Sequence, residues 1–344
     1  MRSEQCLGAR LETRVFTGIA GLCLTFILFG VSPLDAQHRI QLMDAPCTGS
    51  ADTQVTEPGT DRTYILDYPC DLRAGEDVTF VLNLHGGGSS GRWQREYFPA
   101  YDQKEAYRLV IATPFSPTRV WSEVDDSYLQ NIVTEVVDEV GRDRVRAFWL
   151  AGHSQGGSTS RRLVCTDFFR TKVDGFLSLS GGRLGGSAPR AANAGRPRQE
   201  GDPAPAPATA RPTPAPRAAP ADPNCDFSHI FAIGEHEIAS LPTISSRAQM
   251  YGCDARMESR TVMDTGGGYV HDGGHQNPAT PSWGRLPMGG TAQVFVYPNC
   301  RDGRVVADVV RIDKGHTEGN EPEVTKELVR LMVSARGGKI RRGG

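Results

Sequence analysis

Apolar residues along the chain fall into short continuous runs, separated by polar or glycine- and proline-containing turns. Short apolar runs bounded by turn residues are typical of strands that are buried on both faces. The runs predict strands at 63–68, 78–84, 107–114, 145–151, 173–180, 228–234, 293–297 and 305–312.

Helical spacing lies between two of these runs. Polar residues at 125–127 precede apolar positions that recur with the helical period: Leu129, Ile132, Val133, Val136, Val137 and Val140. This pattern predicts an amphipathic helix with a capped start. A last helix is predicted at 322–333, with Pro322 in its first turn. Alternating strands and helices predict one α/β domain, with a mostly parallel central sheet and helices on both faces.

The run at 145–151 ends in Gly152-His153-Ser154-Gln155-Gly156, and a helix-like segment follows. Gly-x-Ser-x-Gly is the pattern of a nucleophile elbow, a sharp and strained turn from a strand into a helix. Side chains at the two glycines would collide where strand and helix nearly touch. We therefore predict that Ser154 is a nucleophile and that the Gln155 amide, at a helix start, binds an anion. The alternative is a glycine-rich turn without a catalytic role.

A second glycine turn, His85-Gly86-Gly87-Gly88, follows the run at 78–84. Glycines leave backbone N–H groups exposed because no Cβ shields them. With the elbow downstream, the turn predicts an oxyanion hole made of the amides of Gly87, Gly88 and Gln155. A flexible loop is the alternative, and His85 is interpreted as structural.

A serine nucleophile needs a base and an acid that orients it, and in elbow enzymes the acid precedes the histidine in the chain. His316 follows the last predicted strand, at the same sheet edge as Ser154, and is the predicted base. Glu237 follows the strand at 228–234 and is preferred as the acid over Asp264, its main rival, which also ends a strand-like run.

His271, Asp272 and His275 lie close together in a loop-like stretch. They are interpreted as part of a polar surface loop that borders the substrate cleft, in preference to a metal site. No metal and no cofactor is predicted.

The first 36 residues predict a signal peptide, because Arg2, Arg10 and Arg14 precede an apolar run at 15–31 and a small residue, Ala36. Cleavage near Ala36 would leave 37–344 as a secreted or periplasmic domain without a membrane segment. An uncleaved membrane anchor is the alternative. The net charge of -2 gives no indication of a nucleic-acid partner.

Six of the eight cysteines follow this leader, and an even number in an exported protein favours disulfides. We favour the pairs Cys47–Cys70 and Cys253–Cys300. Cys165–Cys225 is a third candidate, with Cys165 as a buried helix residue as the alternative. No closely spaced Cys/His set predicts zinc.

Composition changes abruptly between about 185 and 223, where ten of the chain's 23 prolines fall among Ala, Arg and Gly. Such a segment is typical of a disordered or polyproline-II insertion within the domain. A lid or a wall-tethering arm is the alternative. The basic tail at 339–342 is interpreted as solvated.

These motifs resemble those of the α/β-hydrolase superfamily, and within it the secreted esterases related to poly(3-hydroxybutyrate) depolymerases and feruloyl or acetylxylan esterases (carbohydrate esterase family 1). The matching pieces are the glycine turn 84–88, Trp121 with Asp125-Asp126, the elbow 152–157, and Gly315-His316-Thr317. The resemblance covers roughly 64–332 without the insertion. It implies the α/β-hydrolase fold and a metal-free Ser/acid/His triad.

Two positions depart from that family's pattern. Its acid is usually an aspartate in Gly-x-x-Asp, where this chain has Glu237 after Gly234. Its histidine is often followed by Trp-Pro, where this chain has Glu318-Gly319. The second departure leaves the substrate subclass open.

The leading hypothesis is a secreted serine esterase that uses Ser154, Glu237 and His316. Its expected substrates are feruloyl or acetyl esters of plant polysaccharide, or short polyhydroxyalkanoates. A peptidase or other serine hydrolase on the same fold is the second hypothesis. A non-catalytic cell-wall binding module is the third, and the oligomeric state stays open.

Overall fold

A computed structural model describes residues 46–185, 222–271 and 288–343, apart from 48, 51 and 74. The predicted signal peptide, most of the insertion, Asp272 and His275 lie outside the described residues. Within the described ranges, no helix has both the length and the apolar character to cross a membrane.

Ten strands of the described part of the chain form one sheet. Their bounds are β1 Val55–Glu57, β2 Arg62–Asp67, β3 Val78–Leu84, β4 Leu109–Pro114, β5 Val145–His153, β6 Gly175–Leu179, β7 Ser228–Gly234, β8 Met257–Asp264, β9 Gly290–Val296 and β10 Val306–Arg311. The spatial order is β1-β2-β4-β3-β5-β6-β7-β10-β9-β8. The strands from β4 to β10 in this order run parallel, and antiparallel pairs extend both edges. The predicted mostly parallel sheet is confirmed.

The described α-helices are α1 Gly91–Tyr97, α2 Lys104–Tyr107, α3 Asp126–Val140, α4 Gln155–Leu163, α5 Asp167–Arg170, α6 Ser246–Met250 and α7 Pro322–Ser334. The structure confirms the predicted helices at α3 and α7. Helix α1 was not predicted from the sequence, because it is short and lacks a clear apolar stripe.

Two apolar layers cover the two faces of the sheet. Along β5, Phe148 and Leu150 pack into the layer beneath α3 and α4, whereas Trp149 and Ala151 pack into the layer beneath α1 and α7. Since both faces are buried, a central strand is apolar at successive positions, and this explains the continuous runs in the sequence.

Among the described residues, disulfides join both favoured pairs, Cys47–Cys70 and Cys253–Cys300, and also the third candidate pair, Cys165–Cys225. Cys165 is therefore bonded to Cys225 and is not a lone helix cysteine. This bridge ties the end of α4 to the segment that leads into β7.

The interpretation of the basic tail as solvated is wrong. Ile340 is 1% exposed and packs in the layer of α3. The tail is also held by charge, because Arg341 pairs with Asp77 at 2.6 Å and Arg142 donates to the Ile340 carbonyl at 3.2 Å. A hydropathy pattern misses this contact, because a single isoleucine among basic residues carries it.

The two ends of the insertion are held together. The Gly185 amide donates to Asp222 at 2.8 Å, and Asp222 also accepts from Ser246 at 2.7 Å and pairs with Arg161 at 3.1 Å. The Arg183 guanidinium in turn donates to the Gly185 carbonyl at 3.1 Å. The chain therefore leaves and re-enters the domain at one place.

We expect that replacing residues 186–221 by a short Gly/Ser linker leaves the domain folded. Closing a shorter loop costs less entropy on folding. The free energy of unfolding should therefore rise by about 1 kcal/mol and the melting temperature by about 2 °C. Calorimetry on the purified variant measures this. Asp222→Ala in the full-length chain is the control and should lower the melting temperature. A marked fall in the deletion variant would contradict the expectation.

Candidate active site

Ser154 lies at the sharp turn between β5 and α4. Its backbone has φ 50° and ψ −113°, a conformation that residues other than glycine rarely adopt. The Ser154 amide donates to the Leu179 carbonyl of β6 at 2.8 Å. This turn is the predicted elbow, and it presents the serine at the carboxyl end of the central strand.

The glycines at positions 152 and 156 permit this turn. A Cβ at Gly152 would lie 2.4 Å from the Gly156 carbonyl carbon, and a Cβ at Gly156 would lie 2.2 Å from the Leu84 carbonyl oxygen. Both distances are far below van der Waals contact. Any side chain at these positions would therefore push α4 away from β5 and β3.

A continuous hydrogen-bond chain links Ser154, His316 and Glu237. His316 Nε2 lies 3.0 Å from Ser154 Oγ, and His316 Nδ1 lies 2.5 Å from Glu237 Oε2. The side chains of His316 and Glu237 are 17% and 10% exposed. The histidine can therefore take a proton from the serine through Nε2, while Nδ1–H donates to the carboxylate.

The other oxygen of Glu237 is held as well. Oε1 accepts from Ser180 Oγ at 2.7 Å and from the Gly234 amide at 3.0 Å. The role of Ser180 was missed by the sequence analysis, although this residue ends the predicted run at 173–180 and directly follows β6, at the same sheet edge. These two bonds fix the carboxylate so that Oε2 faces His316.

Asp264, the rival acid, lies elsewhere. Its Oδ2 accepts from the amides of Glu323 at 2.5 Å and Val324 at 3.3 Å. It therefore caps the N-terminus of α7, where a carboxylate stabilises the free amides. The structure brings Glu237 to His316 and gives Asp264 a helix-capping role.

The turn that carries Glu237 and the loop that carries His316 are joined directly. The His236 amide donates to the Lys314 carbonyl at 3.1 Å, and its ring contacts Asp313 at 2.8 Å. The Asp313 amide donates to Glu235 at 2.8 Å. Because these bonds lie on both sides of the acid and the histidine, they set the separation of the two loops.

Buried charges hold the chain that follows His316. Arg311 donates to the carbonyls of Glu318 and Gly319 at 2.7 Å each, and it pairs with Glu321 at 3.0 Å. Lys314 pairs with Glu318 at 2.7 Å. Burial opposes the charge of Arg311, but Glu321, together with Tyr97 and Glu318, more than offsets this and raises the pKa of Arg311 above its ordinary value. Glu318 is thus part of a buried ion-pair network, and the Gly319 carbonyl accepts a hydrogen bond from the same network.

The glycine turn lies between β3 and α1, next to Gln155. A Cβ at Gly87 would lie 3.2 Å from Gln155 Oε1, and that same oxygen accepts from the Trp121 amide at 3.2 Å. Within the described part of the chain, the amides of Gly87 and Gln155 have no hydrogen-bond partner. Both therefore remain candidates to bind an oxyanion.

The prediction that the Gly88 amide is part of the oxyanion hole is wrong. Its amide donates to the Arg119 carbonyl at 2.8 Å, so it is occupied and is not a free donor for an oxyanion. Gly88 instead supplies a backbone with φ 76°, which closes the turn.

His85 has a structural role, as interpreted. Its Nε2 accepts from the Ser116 amide at 3.1 Å, so its Nδ1 carries the proton and donates to the Gly86 carbonyl at 2.8 Å. The Trp121 indole donates to the His85 carbonyl at 2.8 Å. Burial lowers the pKa of His85, which keeps the ring neutral.

His271 belongs to no metal-binding cluster among the described residues, which contain no group of three or more metal-ligating side chains. Asp272 and His275 lie outside the described residues, so the interpretation of this loop stays a prediction.

The chain has the α/β-hydrolase fold. The serine elbow follows the central strand of a mostly parallel sheet, the glycine turn lies between β3 and the next helix, and acid and histidine follow at later strand ends. These features of the chain itself define its class.

Comparisons with known proteins give distant likenesses only. No family model and no curated protein matches the chain. An acetyl xylan esterase from Aspergillus awamori is 12% identical with a TM-score of 0.44, over 82% of this chain and 99% of that one. A thermostable esterase is 18% identical with a TM-score of 0.32, over 38% of this chain and 40% of that one. Est1E from Butyrivibrio proteoclasticus is 16% identical with a TM-score of 0.25, over 38% and 48%. The chain spans less than two thirds of the length of the latter two proteins.

Replacing Glu237 tests its assignment as the acid. Glu237→Gln keeps the shape but removes the charge that orients and stabilises the imidazolium, so kcat on an ester should fall by about 10³- to 10⁴-fold. Steady-state kinetics with p-nitrophenyl acetate measures this.

Asp264→Asn is the matched control for Glu237→Gln. It should keep kcat within about twofold and lower stability by about 1 kcal/mol through the weakened cap of α7. The reverse pattern, with kcat lost in Asp264→Asn and kept in Glu237→Gln, would make Asp264 the acid.

Proposed function

We propose that the protein is a serine hydrolase that cleaves carboxylic esters through an acyl-enzyme. The observation that carries this proposal is the unbroken hydrogen-bond chain from Ser154 Oγ through His316 to Glu237. The position of Ser154 at a strained elbow also supports the proposal, because such turns present a nucleophile at the edge of an α/β sheet.

In the acylation step, Ser154 Oγ attacks the ester carbonyl carbon and its proton passes to His316 Nε2. The carbonyl oxygen becomes an oxyanion, and the amides of Gly87 and Gln155 are the proposed donors to it. His316 then gives the proton to the alcohol oxygen as the C–O bond breaks. Glu237 stays ionised and stabilises the imidazolium.

In the deacylation step, water takes the place of the alcohol. His316 Nε2 accepts a proton from water as the water oxygen attacks the acyl carbon. The second tetrahedral intermediate collapses, and His316 returns the proton to Ser154 Oγ. The products are a carboxylic acid and the free enzyme, and neither step uses a cofactor.

The substrate class rests on the resemblance given by the motifs. We propose acetyl or feruloyl esters of plant polysaccharide, or short polyhydroxyalkanoates, as the substrates. Turnover of a panel of feruloyl, acetyl and hydroxybutyrate esters by the purified protein would rank these candidates. Turnover of peptides alone would favour a peptidase instead.

Removing the nucleophile tests the reaction type. Ser154→Ala should lower the rate with p-nitrophenyl acetate and butyrate by about 10³-fold or more, because the variant lacks the hydroxyl that would form the acyl-enzyme. A fluorophosphonate probe should label the wild type and leave Ser154→Ala unlabelled, as intact mass measures directly.

Two results would contradict this proposal. Turnover of the wild type no higher than that of Ser154→Ala would exclude a serine esterase. Absence of labelling in a folded wild-type protein would favour a non-catalytic binding module.

We also propose that the protein is exported, to the periplasm or the medium. The three disulfides support this, because such bonds persist in oxidising compartments. Expression of the full chain should give a mature protein that begins near Gln37, as N-terminal sequencing measures. A variant without residues 2–36 should stay in the cytoplasm. Full-length protein found only in the membrane fraction would instead indicate an uncleaved anchor.

A further inference from the structure

His153, the residue before the serine, turns its side chain into the protein. It is 3% exposed. Strand alternation places it on the same face of β5 as Trp149 and Ala151. Its ring packs on Tyr97, with centroids 4.1 Å apart, and on Trp93 at 5.2 Å.

The same side chain contacts the candidate base. His153 Nε2 lies 2.9 Å from the His316 carbonyl oxygen, and the two imidazole rings lie 4.7 Å apart. The Tyr97 hydroxyl adds a longer bond of 3.4 Å to the same carbonyl. The backbone of His316 is therefore held from below by a donor on the elbow itself.

The opposite edge of the His153 ring faces the glycine turn. A Cβ at Gly86 would lie 2.6 Å from His153 Nδ1, so the ring occupies the space that glycine leaves. Within the described residues, Nδ1 is buried without a partner. A single side chain thus lies between the oxyanion turn and the base.

The surroundings of His153 keep it neutral. Nε2 must carry the proton, because a carbonyl oxygen only accepts. A second proton on Nδ1 would be buried without an acceptor. Burial lowers the pKa of His153 well below its ordinary value, and the nearby His316, Arg311 and His85 add to this, whereas the bond to the His316 carbonyl opposes it. A neutral ring donates a hydrogen bond without repelling the imidazolium that forms on His316.

We propose that His153 is a positioning residue: its Nε2–H holds the His316 carbonyl and its ring supports the His316 imidazole, so that Nε2 of His316 stays aimed at Ser154. This inference rests on the proposed function. A misplacement of a catalytic group by about 1 Å can lower the rate by about 10²-fold. Loss of the contact between His153 and the His316 carbonyl should therefore lower kcat measurably.

Three substitutions separate the hydrogen bond from the packing. In His153→Gln the side-chain amide reaches about as far as Nε2 and keeps a donor. His153→Asn is also a carboxamide but is too short to reach, and His153→Leu fills space without a donor. If the leucine variant does not fold, the comparison of asparagine with glutamine decides.

The expected result is a fall in kcat of about tenfold or more in His153→Asn and His153→Leu, with KM nearly unchanged. His153→Gln should recover most of the loss. Fluorophosphonate labelling should slow in the same order, because it depends on the same proton transfer.

His229→Leu is the matched control. His229 is another buried histidine, 1% exposed, whose Nδ1 and Nε2 bond Phe176 and Leu184 at 3.2 Å each. Its replacement should lower the melting temperature but leave kcat unchanged. This separates general loss of stability from loss of positioning.

A readout without turnover keeps this inference distinct from the proposed function. In the wild type, the proton between His316 Nδ1 and Glu237 should give a downfield proton NMR signal. The signal should broaden or vanish in His153→Asn and persist in His153→Gln. Unchanged kcat and an unchanged signal in His153→Asn would overturn the positioning role. An intact signal in a wild type that cleaves no ester would instead overturn the proposed function alone.

Discussion

The close approach of β5 to α4 is the constraint on which the site depends. Only with glycine at 152 and 156 can the chain turn so sharply that Ser154 projects from the sheet edge. The unusual backbone of Ser154 costs of order 1–3 kcal/mol. The bond from its amide to Leu179 and the packing of the flanking strands hold it there. A looser turn would relax this strain and move the hydroxyl away from His316.

The parallel strands then bring the partners together. Residues far apart in the chain meet because β7 and β10 end at the same edge as β5. Strand ends alone place a loop within several ångströms, which is not accurate enough for proton transfer. Further contacts restrict the position of the His316 loop more closely. They join His236 to Lys314 and Asp313, and Arg311 to the chain after His316. The geometry of the site is thus set by polar contacts around the reacting groups as much as by the sheet.

The sequence predicted the strand-end residues well, because each one lies three or four residues after the end of an apolar run. Ser154, Glu237 and His316 were found in this way, and the structure brings all three together. Contacts between distant segments were not predictable from such runs. The Gly88 amide is occupied by Arg119, which itself adopts φ 60°, and Ile340 of the tail packs beneath α3. Neither contact leaves a periodic signal in the sequence.

His153 falls between these two cases. Strand alternation from Trp149 and Ala151 indicates which face it lies on, but not that the His316 carbonyl is within its reach. That contact exists because Arg311 and Lys314 hold the following segment down by charge. Buried ion pairs are weak contributors to stability, since desolvation offsets their attraction, yet they fix geometry. The charges next to the His316 loop therefore have a structural role: they place the backbone of His316 against the neutral ring of His153, and so connect His316 to the turn that carries Ser154.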